Sequence, residues 1–229
     1  MPPFDLAKTV ELGALFKTPP EQRGDEWRAR FLVAVPDATL VSSSSQIERA
    51  SDSFPYFQLA MPDPGPLTPF CITHILDDCL DNGLGVVVFA DEARSANPEW
   101  IFSYGDLLSY SLFGEFYVAP ESPSTGAGNG GQLLVGSPSE AMYPARARKV
   151  LGDLLRNVYH HPAPKLGLID SPSLTPTRNL VVNFEVHEHF DGNLESLTAA
   201  MGQVNWFIPS HIGLMALPHG IEDSGFADL

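Results

Sequence analysis

A chain of 229 residues that is 44% hydrophobic and only 18% charged, with 14 Phe, 6 Tyr and 3 Trp, is too apolar and aromatic to stay disordered, and it exceeds the usual single-domain size of about 100–150 residues. Thirteen Lys and Arg stand against 28 Asp and Glu, and the resulting charge of −15 repels phosphate backbones and anionic lipid, which argues against a nucleic-acid partner. Residues 1–11 hold no basic stretch ahead of an apolar run, and no segment approaches the ~18 apolar residues of a membrane span, so the chain reads as cytoplasmic with no membrane partner.

In chain order, the first expected elements are strands at Arg30 to Val35 and Phe54 to Ala60, both rich in β-formers and bounded by Pro and Asp. Thr68-Pro69 predicts a helix start, with Ile72, Ile75, Leu76, Cys79 and Leu80 at helical spacing and Asn82-Gly83 as the stop. On that helix Cys71 and Cys79 lie about 12 Å apart, too far for a disulfide, and they read as reduced core thiols. The unbroken apolar run from Gly85 to Ala90 predicts a central strand covered on both faces. Trp100 to Ser103 predicts another strand, and Ser103 with Asp106 three residues on marks a helix start whose inner face is Leu107, Leu108 and Leu112.

Between Pro120 and Glu140 the chain is dense in Gly, Pro and Ser, which places a boundary near residue 130 between a module at 1–130 and a module at 131–229. The second module opens with the strongest helical stripe, Tyr143, Ala147, Val150, Leu151, Leu154, Leu155 and Val158, with Arg146, Arg148, Lys149 and Arg156 on its other faces. Strands at Lys165 to Asp170 and Leu180 to Val186, a helix from Leu194 to Trp206 and a short strand from Ile212 to Leu217 complete it. The fold class is therefore α+β, a mixed sheet with packed helices, as two α/β modules joined by the Gly/Pro/Ser-rich segment.

One cluster suggests chemistry. If His187-Glu188-His189-Phe190-Asp191 continues a strand, residues two apart share a face, and His187, His189 and Asp191 could converge on a metal. The competing explanation is a strand that runs into a turn with solvent-facing histidines. His160 and His161 follow the basic helix directly and suit the negative end of its dipole. No Gly-x-Ser-x-Gly elbow or Gly-Lys-Ser/Thr loop occurs, so neither a nucleophilic serine nor a phosphate cradle can be assigned, and no cofactor is expected. The aromatic segment from Trp100 to Tyr117 reads mainly as core, with Trp100, Tyr104 and Tyr110 as candidates for a partner-binding patch.

Three stretches, Tyr143-Pro-Ala-Arg-Ala-Arg-Lys-Val-Leu, Arg178-Asn-Leu-Val-Val-Asn-Phe and Val204-Asn-Trp-Phe-Ile-Pro209, resemble the C-terminal domain of SseB-like proteins, the enhanced-serine-sensitivity family, over roughly residues 140 to 220. That resemblance implies a bacterial cytosolic α/β protein with no established active site, sometimes encoded near secretion or toxin systems. Acidity, aromatic richness and the resemblance together favour a non-enzymatic interaction protein, such as an adaptor, a chaperone-like factor or an immunity protein, with a basic protein as partner. The alternative is a metal-dependent enzyme built on His187, His189 and Asp191.

Overall fold

The computed structural model describes residues 4–63, 68–91, 93, 97–117 and 134–229, and it divides into two compact units, residues 1–107 and 108–229. The boundary expected near residue 130 falls outside the described residues. Among those residues 38% are helical and 23% are in strands, organised as two mixed sheets with packed helices, an α+β fold.

The first unit begins with two helices, α1 (Leu6–Leu15) and α2 (Asp25–Ala34). Asp5 caps α1 by accepting the N–H groups of Ala7 and Lys8 at 2.9 and 3.1 Å. The strand expected at Arg30 to Val35 is thus helical. Trp27, Phe31 and Ala34 recur at i, i+4 and i+7 and are buried, while Val33 points outward and is 68% exposed. Contiguous Phe-Leu-Val-Ala looks strand-like only because residues of two helical faces alternate there.

The sheet of this unit runs in the order β3 (Pro69–Phe70), β1 (Leu40–Arg49), β2 (Pro55–Ala60), β4 (Gly85–Phe89), β5 (Trp100–Phe102). β2 and β4 are parallel and α3 (Ile72–Asn82) makes the crossover between them, while the other pairs are antiparallel. β4 is interior as expected. The helix expected from Thr68 starts later, because Pro69 and Phe70 pair with Val41 and Leu40 before the chain turns helical at Ile72. Gly83 ends α3 in the left-handed region at φ 67°, a conformation open to glycine without strain.

The helix α4 (Tyr104–Phe113) opens with a reciprocal capping box: Ser103 N–H donates to Asp106 at 2.8 Å and Asp106 N–H donates to the Ser103 hydroxyl at 3.1 Å.

In the second unit β7 (Lys165–Asp170) pairs antiparallel with β8 (Arg178–Val182) on one side and with β6 (Leu134–Gly136) and β10 (Ala227–Asp228) on the other. β8 then pairs in parallel with β9 (Gly213–Ala216). The basic helix is α5 (Ala145–Tyr159), and α6 (Val186–His189) and α7 (Leu194–Asn205) lie in the β8-to-β9 crossover. On α5, Ala147, Leu151 and Leu155 are buried, Leu154 is half-buried, and Val158 is 54% exposed, so the apolar stripe leaves the core in its last turn. Pro144 offers α5 no side-chain cap, and Glu140 substitutes by accepting the Ala145 N–H at 2.8 Å while pairing with Arg148. That N–H, and then Arg148, hold the Glu140 carboxyl below its ordinary range.

Each unit repeats one order of elements: a helix, two antiparallel strands, a crossover helix and a strand parallel to the second (α2-β1-β2-α3-β4 and α5-β7-β8-α7-β9). The repeat is topological and leaves no repeated letters in the sequence.

Candidate functional site

The strand expected through Val186 stops at Val182. Phe184 N–H turns back to Val182 O at 2.7 Å, and Val186–His189 forms the single turn α6. The premise that brought His187, His189 and Asp191 to one face is therefore replaced, since residues two apart on a helix point about 200° apart. His187 is exposed, and Asp191 sits in the left-handed turn with Gly192 at φ 50° and 78° that leads into α7. His189 turns the other way and stacks on His161 at 4.2 Å between ring centroids and 21° between planes. Among the described residues no group of three or more His, Cys, Asp or Glu is spaced to hold a metal ion.

His160 takes the left-handed C-cap of α5 at φ 53°, the position its place after a basic helix suggested. Its neighbour His161 turns inward and is 4% exposed. His161 Nε2 faces Asn183 O at 3.2 Å, and Nδ1 accepts the Ala163 N–H at 3.3 Å, which fixes a neutral ring protonated on Nε2. Burial lowers its pKa first, and the His189 ring adds to that, against the raising effect of Asn183 O, Glu188 and Asp223.

The aromatic candidates divide. Tyr104 is fully buried with its hydroxyl donating to Leu80 O at 3.1 Å, so it belongs to the core and offers nothing to a partner. Trp100 is half-buried in a stack with Phe31 at 4.9 Å, Trp27 at 6.1 Å and Phe102 at 6.1 Å. Tyr110 is half-buried against Phe116 at 4.5 Å. The most exposed aromatic residue of this stretch is Phe113, 48% exposed at the end of α4 and set edge-on to His211 at 5.1 Å. Both cysteines are buried and free, and burial pushes the Cys79 thiol up to about 12, which makes it inert.

Phe113 lines a cleft of about 510 Å³ in the second unit, where β7 ends and β8 and β9 begin. Phe113, Met142, Leu168, Pro176 and Ile212 give its lining an apolar part, with His211 and Thr177 beside them. Ser137, Ser139, Asp170 and Arg178 make the polar rim. Asp170 and Arg178 are directly opposite across the β7–β8 ladder, and the guanidinium Nε donates to the carboxylate at 3.3 Å with both side chains partly exposed.

The loop between those strands is held closed. Ser171 N–H donates to Thr177 O at 2.9 Å, and the buried Asn179 amide donates to Pro176 O at 2.8 Å. Asn179 can do this because its register partner on β9 is Gly213, where an added Cβ would fall 1.9 Å from the Asn179 oxygen. Sequence reading missed this cleft because its lining comes from segments near residues 113, 139, 170 and 211, none of which carries a motif.

Compared with models of known protein families, with curated proteins and with solved structures, the chain matches none. The resemblance to SseB-like proteins therefore rests on its three quoted stretches, which fall on the start of α5, on β8 and at the end of α7.

Proposed function

We propose that this chain is a non-catalytic protein-interaction module of the bacterial cytoplasm, an adaptor, chaperone-like or immunity-type factor, whose second unit receives a segment of a partner polypeptide in the β7–β8–β9 cleft. The observation that carries the reading is the apolar part of that cleft's lining, Met142, Leu168 and Ile212, together with an exposed aromatic residue, Phe113. Apolar exposure also continues outside the concavity. β6 pairs with β7, which lends Leu168 and Asp170 to the cleft, and Leu134 of β6, directly opposite Asp170 and so on the cleft side of the sheet, is 56% exposed. An apolar surface that extends past a small-molecule-sized cavity favours a polypeptide over a metabolite. Arg178 and Asp170 at the rim would fix the segment's polar groups, and the charge of −15 would draw a basic partner toward the chain.

Site-specific photocrosslinking in the producing cell tests this. A photoreactive residue in place of Phe113 should capture a discrete polypeptide, the same label at exposed Leu194 on α7 should not, and Met142→Glu should abolish the adduct. Loss of all polypeptide adducts at position 113, or a stoichiometric metal bound through His187 and His189 in the purified chain, would overturn the reading.

A further inference from the structure

In the first unit, α1 is apolar on two sides. Leu12 and Leu15 face the core at 0% and 4% exposure, while Leu6 and Val10, one turn apart on the other side, are each 71% exposed. The neighbouring α2 repeats the pattern, with Trp27 and Phe31 inward and Ala29 and Val33 outward. Between the two helices runs a shallow groove of about 450 Å³ with small side chains, Ala7, Ala29 and Ala34, along it and the Glu11–Arg30 ion pair across it. A surface helix carries one apolar stripe; a helix apolar on both sides is one that becomes covered on both.

Charge identifies the cover. Residues 5–34 hold five Lys or Arg and five Asp or Glu, a net charge of zero within a chain of −15. The acidity of the protein thus resides outside this hairpin, and the hairpin adds no local charge repulsion when it meets a copy of itself. A basic partner is drawn elsewhere on the molecule. The Glu11–Arg30 pair is also self-complementary, since a two-fold axis over the groove sets each carboxylate against the copy's guanidinium.

We infer that the outer face of the α1–α2 hairpin, carrying Leu6, Val10 and Val33 beside the Glu11–Arg30 pair, is the surface through which two copies of this chain associate. Sedimentation equilibrium of the full chain tests it, with Val10→Glu and Val33→Glu as variants. Wild type should show a reversible monomer–dimer equilibrium. Each variant should raise the dissociation constant more than about a hundredfold, because a carboxylate is buried twice in every dimer. Both replaced side chains are exposed, so the far-UV circular dichroism of each variant should match wild type; if one variant misfolds, the other and Leu6→Lys carry the measurement.

Salt supplies a second readout. An apolar contact formed against the repulsion of two acidic bodies should tighten as salt rises from about 0.01 M to about 1 M. A wild-type chain that stays monomeric up to about 1 mM, a dimer that survives both substitutions, or a dimer that loosens with salt would each overturn the inference. None of these results depends on the cleft of the second unit.

Discussion

Gly167 in β7 faces the ring of Phe226, and a Cβ built on it would lie 2.3 Å from Cε1 and Cζ. Carbon atoms rest at about 3.5–4.0 Å, so the ring has to withdraw by more than about 1 Å if Gly167 becomes Ala. Phe226 is 8% exposed and forms a cluster with Ile169 and Val181, with Leu174, Met215 and Ile221 packed around it. Overpacking of that kind costs about 1–3 kcal/mol, rising to about 3–5 kcal/mol if the ring is expelled and its burial lost altogether. The opposing term is smaller, since replacing a strand glycine restrains the unfolded chain and stabilises by about 0.5–1 kcal/mol. Gly167→Ala should therefore destabilise. In a Phe226→Ala chain the obstacle is gone, and the same substitution should become neutral or slightly stabilising, giving a coupling of about 1–3 kcal/mol between the two positions. Urea unfolding of the four chains, followed by far-UV circular dichroism and by tryptophan fluorescence, measures all the terms. Costs that simply add, or a Gly167→Ala chain as stable as wild type, would refute the steric argument.

Leu151→Ala should cost about 2–5 kcal/mol because Leu151 is fully buried, Leu154→Ala less because its site is half-buried, and Val158→Ala close to nothing because that residue is 54% exposed; chemical denaturation ranks them. His161 makes stability depend on pH in the direction set by its lowered pKa. The unfolded ring, near its ordinary value of 6.5, takes up a proton before the folded one does, so the contribution is present above about pH 6.5 and is lost as pH falls below it toward the lowered folded value. Melting temperature should decline across that interval in wild type and less steeply in His161→Asn, whereas equal slopes would remove His161 as the cause. Below about pH 4 a separate decline is expected from Asp37, whose pKa burial raises but hydrogen bonds from Lys8 and Thr73, with the Lys8 charge, bring below normal overall; Asp37→Asn should blunt it.

Periodicity made much of the fold legible where one face of an element is buried. α3 with its Gly83 stop, β4, α5, β7 and α7 all lie within a few residues of their expected places, and the Ser103–Asp106 capping box could be read directly from its letters. It failed where a helix carries apolar residues on two sides. In α2 the outward Val33 merges with the inward Phe31 and Ala34 into a run that mimics a strand, and α1, with Leu6 and Val10 outward, drew no reading at all. The His187–His189 pair was misplaced for a different reason. Strand pairing to β9 ends at Val182, and nothing local in Phe184-Glu185-Val186 announces that the chain there turns helical. Similarly, the topological repeat of the two units and the cleft beside β7 depend on pairing between distant segments, which single-chain periodicity does not encode.

Trp27 and Trp100 stand 6.1 Å apart with Phe31 packed against both, and the chain's third tryptophan, Trp206, belongs to the other unit. Indole transition dipoles that close to one another couple, so the first unit should give an exciton couplet in the strong far-ultraviolet indole band that the second unit, with a single indole, should lack. The two halves of the protein are thereby optically distinct without any label, and the loss of one can be timed against the loss of the other in a single unfolding experiment.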